Sequence, residues 1–175
     1  VIALATSLHG IGPLIQDGTL RKRVADMEPA WHPPRGFSLV PIEMSNFSME
    51  LLLHQIGDNA VDSEQVDAAE RLLTENREVV LQLHGGGYIG KIRNAYRDFA
   101  VLYAKMSGKR AVLSVDYRVA PENPYPTSEN DCKTALKYIV SNAKKLGIDA
   151  DKIASAGDSA GGNLTAKVGR YARAN

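Results

Sequence analysis

A chain of 175 residues, 44% of them hydrophobic and 23% charged, is long enough to enclose one hydrophobic core, so it reads as an ordinary globular domain or part of one. With 21 Lys and Arg against 20 Asp and Glu, the net charge of +1 supplies no field that would gather nucleic acid or an acidic membrane. The single cysteine, Cys132, excludes an internal disulfide framework and a thiolate-rich metal site and is compatible with a cytoplasmic location, while no apolar run approaches the roughly 18 residues of a membrane span.

The chain opens on Val1 rather than Met, and an upstream segment is therefore expected. Residues 1–40 mix Pro29, Pro33 and Pro34 with short apolar runs and the basic stretch RKRVADM, which predicts a short helix followed by irregular chain, ahead of a domain over 41–175. From Phe47, alternation of Phe47, Met49, Leu51 and Leu53 with Ser48, Glu50 and His54 predicts a half-buried strand. Asp62 with Gln65 forms a potential capping box for a helix running to about Asn76, with an irregular insertion as the competing reading. Val79–Leu83 reads as a strand buried on both faces.

Asn94 is the expected cap of a helix carrying Tyr96, Phe99, Ala100, Tyr103 and Met106, with Gly108 suited to the left-handed position beyond its end. A second buried strand is expected over Ala111–Val115. After the turn APENPYP, Ser128 and Asp131 are placed to cap a helix with Cys132, Ala135, Leu136 and Ile139 on its apolar face, stopped by Gly147. A weaker strand over Lys152–Gly157 and a helix over Ala160–Ala174 complete the pattern. Strands alternating with helices of this length predict an α/β fold with a mostly parallel central sheet and flanking helices.

Two glycine clusters follow strands. In GDSAGG, residues 157–162, Gly157, Ser159 and Gly161 have the spacing of a nucleophile elbow, where small residues relieve crowding as strand turns sharply into helix. Ser159 would attack an acyl carbon, and the Ala160 amide, beside the positive end of the helix, would meet the developing oxyanion. A glycine-rich turn with Ser159 as a simple cap has the same spacing. In HGGGY, residues 84–88, the Gly86 and Gly87 amides are natural oxyanion donors because bare backbone can approach an acyl oxygen closely. Neither cluster has the pattern of a nucleotide loop, and no histidine and carboxylate spacing suggests a metal site. No cofactor and no metal are expected.

HGGGY, DYRVAPENPYP at 116–126 and GDSAGG, in this order, resemble the signature set of the hormone-sensitive-lipase-like carboxylesterases of the α/β-hydrolase superfamily, most specifically from Val79 onward. The resemblance implies Ser159 as nucleophile, Gly86, Gly87 and Ala160 as the oxyanion hole, and a small ester as substrate. It also implies that His84 holds its loop by hydrogen bonding and that Arg118 and Glu122 join an internal polar network; from chemistry alone these two could equally form a solvated turn pair. Asp158 is expected to support the site structurally or electrostatically rather than serve as the triad acid. The N-terminal stretch, with Trp31, would form a short lid.

A serine hydrolase of this type needs an imidazole and a carboxylate, both following the nucleophile in chain order. Only 16 residues follow Ser159, and none is His, Asp or Glu. The resemblance therefore implies a C-terminal remainder that supplies acid and base, the 175 residues alone being inactive. The alternatives are a noncatalytic small-molecule receptor on the same scaffold, and a base recruited from upstream or from a partner.

Overall fold

The computed structural model describes residues 11–54, 78–108, 111–146 and 148–175. Thr19–Asp26 forms helix α1, entered through Gly18 in the left-handed region (φ 75°), and no residue of α1 is buried. Proline-rich chain leads to β1 (Phe37–Glu43) and β2 (Ser48–His54), an antiparallel pair in which Phe37 faces His54 and Glu43 faces Ser48. β1 departs from the irregular chain expected through residue 40. Pro41 obscured it, yet a proline is tolerated here because β1 is an edge strand. The expected helix at 62–76 and the stop at Gly147 lie outside the described residues.

β3 (Val79–Leu83) is buried at every position and is followed by helix α2 (Asn94–Met106) and β4 (Ala111–Asp116). Helix α3 (Thr127–Ser141), a 3₁₀ turn (Ala150–Lys152), β5 (Ile153–Gly157) and helix α4 (Ser159–Ala174) complete the order. Two helix starts differ from expectation. Asn94 is the first helical residue of α2 rather than its cap. The Glu28 carboxylate accepts from the Asn94 amide at 3.1 Å and so supplies the negative group that a helix N-terminus favours. Asp131 does not cap α3; its carboxylate takes the Arg118 guanidinium in two bonds of 2.8 and 3.0 Å. Gly108 does adopt the left-handed conformation past α2 (φ 71°).

The strands lie in the order β1-β2-β4-β3-β5. β1-β2 and β2-β4 are antiparallel while β3-β4 and β3-β5 are parallel, so the sheet is mixed rather than mostly parallel. Side-chain alternation divides the core. Met49, Leu51, Leu81, Leu83, Leu113 and Val115 pack with Cys132, Ala135 and Ile139 of α3 and with Leu164 and Val168 of α4. Leu52, Val80 and Val112 pack with Ala100, Val101 and Ala104 of α2 on the opposite face. Strand β3 therefore sits between β4 and β5, with its two crossover helices on opposite faces. Strand order reverses there, which opens a crevice beyond its carboxyl end.

Candidate active site

Leu83 pairs with Gly157, so the chain leaving β3 and the chain leaving β5 emerge side by side, about 5 Å apart, at that crevice. Asp158 is extended (φ −114°, ψ 154°), and Ser159 then turns into the left-handed region (φ 47°) as the first residue of α4. A non-glycine residue held there carries on the order of 1–3 kcal/mol of strain. The flanking glycines make the turn sterically feasible. A Cβ on Gly157 would lie 2.6 Å from the Gly161 carbonyl and from the Leu83 oxygen, and one on Gly161 would overlap the Leu83 oxygen. The first turn of α4 thus packs backbone against backbone on the end of β3, leaving Ser159 exposed at the helix head and Ala160 buried behind it.

The loop leaving β3 runs through Gly86 (φ 113°), Gly87 (φ 62°) and Tyr88 (φ 64°), three consecutive residues with positive φ. Two of its carbonyls are committed: Gly86 accepts from the Ile89 and Gly90 amides at 3.1 and 2.9 Å, and Tyr88 accepts from the Ala120 amide at 2.8 Å. The Gly86 and Gly87 amides donate to no described residue. The Tyr88 hydroxyl donates to Asn163 Oδ1 at 2.7 Å, tying this loop to α4.

His84 is buried at the root of the loop, its ring stacked on Tyr117 at 4.0 Å between centroids. Nδ1 lies 2.7 Å from the Gly85 carbonyl, so Nδ1–H donates there, and the Tyr117 hydroxyl donates to the His84 carbonyl. Nε2 lies 3.8 Å from Asp116 Oδ1, and that carboxylate is also held by the Ile92 amide at 3.1 Å and Lys91 Nζ at 3.2 Å. Burial lowers the His84 pKa below the ordinary 6.5, opposed by the Gly85 carbonyl and the Asp116 charge. The imidazole is thereby favoured in its neutral form, as an anchor of the loop.

The linkage has a definite sign. A folded-state pKa below the unfolded value means that the unfolded chain takes up the proton first, so the stability contributed by neutral His84 is fully present above pH 6.5 and is lost as pH falls toward the folded pKa. Urea unfolding of wild type and His84→Asn from pH 8 downward should show this as a steeper acid-side decline in wild type. Parallel curves would mean that His84 titrates alike in both states.

Asp158 and Tyr96 converge on Gly85, where a Cβ would overlap the Asp158 carboxylate and lie 2.9 Å from the Tyr96 hydroxyl. Burial first, and the neighbouring Asp158 charge second, raise the Tyr96 pKa and keep the phenol protonated. Asp158 thus borders the loop at Gly85. Arg118 and Glu122 do not meet: Arg118 pairs with Asp131, and the half-exposed Glu122 pairs with Arg21 of α1. Tyr88, Tyr96, Tyr117 and Arg21 were absent from the sequence reading of the site. The first and third stand inside the quoted motifs, Tyr96 stands in the expected apolar stripe, and Arg21 opens the basic stretch RKRVADM, whose pattern points to a helix and not to a site.

A cavity of about 400 Å³ lies between α1 and the loop, with Leu20 and Val24 on one wall, Ile92 and Phe99 on another, and the backbone of Gly85 and Gly86 lining it. Among the described residues no group of His, Cys, Asp and Glu could hold a metal ion, and no helix is long and apolar enough to cross a membrane.

A family model described as alpha/beta hydrolase fold matches residues 80–175. The chain is 41% identical over 102 residues to carboxylesterase NlhH of Mycobacterium tuberculosis, covering 58% of this chain and 32% of that protein. It is 35% identical over 99 residues to hormone-sensitive lipase of Bos taurus, covering 57% of this chain and 13% of the lipase. The solved structure of an arylesterase superposes with a TM-score of 0.65 at 29% identity, covering 90% of this chain and 48% of the arylesterase. The chain therefore spans about a third of the carboxylesterase and about half of the arylesterase structure.

Proposed function

The chain belongs to the alpha/beta hydrolase fold family, and on that premise we propose that it is the nucleophile and oxyanion part of a carboxylic ester hydrolase working through an acyl-serine. The observation that carries the reading is Ser159, held at φ 47° beside a loop whose Gly86 and Gly87 amides are uncommitted. Ser159 Oγ attacks the ester carbonyl carbon; the carbonyl π bond opens and its oxygen takes the negative charge, stabilised by the Gly86, Gly87 and Ala160 amides. Collapse of that intermediate expels the alcohol and leaves an acyl-serine, which water then cleaves in the same way to release the carboxylic acid. Each donor of this kind typically contributes about 3–4 kcal/mol to transition-state stabilisation.

The serine proton needs an acceptor. In this proposal the acceptor is an imidazole oriented by a carboxylate, and His84 does not serve as that base, because Nδ1–H donates to the Gly85 carbonyl and Nε2 faces Asp116. The apolar cavity under α1 suits the acyl or alcohol group of a small or short-chain ester, and α1 serves as the lid. The relatives named as carboxylesterase and lipase favour hydrolysis over a noncatalytic receptor. Cys132, free and buried, fits a cytoplasmic setting.

The test is covalent capture. A fluorophosphonate incubated with the full-length protein should add one phosphonyl group, located by peptide mass spectrometry on Ser159. Absence of the adduct, or an adduct elsewhere, would overturn the assignment.

A further inference from the structure

Helix α1 covers the cavity without burying any of its own residues, so apolar packing does little to fix it. What fastens it is Arg21. Its Nη1 donates to the Ile89 and Ala120 carbonyls, both at 3.1 Å, and its Nη2 pairs with Glu122. The two carbonyls belong to different loops that already touch, since the Ala120 amide donates to the Tyr88 carbonyl at 2.8 Å. Ile89 in turn closes the loop on itself, its amide N–H donating a hydrogen bond to the Gly86 carbonyl. The guanidinium thus bridges the end of the loop carrying Gly86 and Gly87 to the turn after β4, and its side chain is only 22% exposed.

We propose that Arg21 is a positioning residue: through the Ile89 and Ala120 carbonyls it fixes the oxyanion loop, and so couples the seating of the lid helix to the orientation of the Gly86 and Gly87 amides. The catalytic consequence rests on the ester hydrolase reading above. The mechanical part does not. The planar fork of a guanidinium suits two carbonyls and a carboxylate at once, and a lysine ammonium on a flexible stem reproduces that geometry only in part. Glu122 orients the fork, but the loop is held by the carbonyl bonds, which remain when the carboxylate is neutralised.

Hydrogen exchange across residues 84–92 in the full-length protein reads this directly and needs no turnover. Arg21→Ala should speed exchange at the Ile89 and Gly90 amides by about tenfold or more, Arg21→Lys by an intermediate factor, and Glu122→Gln by less than about threefold. Arg21→Gln gives a second neutral variant should the alanine fail to fold. In ester turnover, Arg21→Ala should lower kcat more than it raises KM, with partial rescue by Arg21→Lys; a purely structural brace would lower the unfolding midpoint and leave kcat unchanged. Unchanged exchange in Arg21→Ala, or exchange in Glu122→Gln as fast as in Arg21→Ala, overturns the proposal. If exchange responds as expected while the wild type hydrolyses no ester, the positioning role stands and the ester reading fails by itself.

Discussion

Ser159→Gly is expected to make the protein more stable and inert in the same step. Ser159 sits at φ 47°, where a Cβ is crowded by its own backbone at about 1–2 kcal/mol and glycine is not. The added freedom of glycine in the unfolded chain offsets about 0.5–1 kcal/mol of that relief. The net gain should therefore be about 1 kcal/mol and no more than about 1.5 kcal/mol, visible as a higher urea midpoint at unchanged slope. Ester turnover should fall by about 10⁴-fold or more, because the atom that forms the covalent bond is gone. Ser159→Ala separates the two effects: it loses the hydroxyl but keeps the Cβ, so turnover should fall equally with no gain in stability. Retained turnover in either variant would show that Ser159 is not the nucleophile. Equal stabilisation of both would show that backbone strain is not the source of the gain.

That pairing of strain with chemistry explains why the site was more legible than its surroundings. Gly157 and Gly161 are required by a backbone clash, and a clash of that kind selects one residue type, so it leaves a mark in the sequence. β3 was equally plain because burial on both faces permits only apolar residues at most positions and a satisfied Gln82, which bonds to Ser114 and to the Tyr96 carbonyl. β1 was hidden because an edge strand tolerates Pro41. β5 was faint because its small residues Ala154 and Ser155 are exposed at the edge of the described sheet.

Partners were the least legible feature. Arg21 binds backbone carbonyls, which every residue possesses, so its place gives no side-chain pattern to recognise. Arg118 and Glu122 stand four positions apart in one motif yet pair with Asp131 and Arg21, brought to them by α3 and α1. A motif names the residues that are charged; only the packing of helices against the sheet decides which charges meet. The same holds for His84 and Tyr117, whose rings stack because parallel pairing of β3 with β4 places the ends of the two strands side by side.

Three glycines of α4 offer the sharpest test of the elbow, since one substitution made at each should give three different outcomes. At Gly161 an alanine Cβ would overlap the Leu83 oxygen and stand 2.7 Å from the His84 oxygen, both of them backbone atoms at the end of a fully hydrogen-bonded central strand. No rotamer relieves that contact. Either β3 bends or α4 lifts away from the sheet, taking Leu164 and Val168 out of the core. Gly161→Ala should therefore cost about 3 kcal/mol or more and displace Ser159 and the Ala160 amide together, removing turnover in whatever fraction still folds. At Gly162 the nearest atom to a new Cβ is the Gly157 oxygen at 3.3 Å, which a shift of a few tenths of an ångström accommodates, so the change in stability should stay within about 1 kcal/mol. At Gly169 nothing lies within 4 Å, and Gly169→Ala should stabilise by about 0.5–1 kcal/mol through helix propensity alone. Urea unfolding of the three variants measures the order. If Gly161→Ala proved no worse than Gly162→Ala, α4 would not be seated against the end of β3, and the backbone-to-backbone contact that lifts Ser159 into the crevice would not exist.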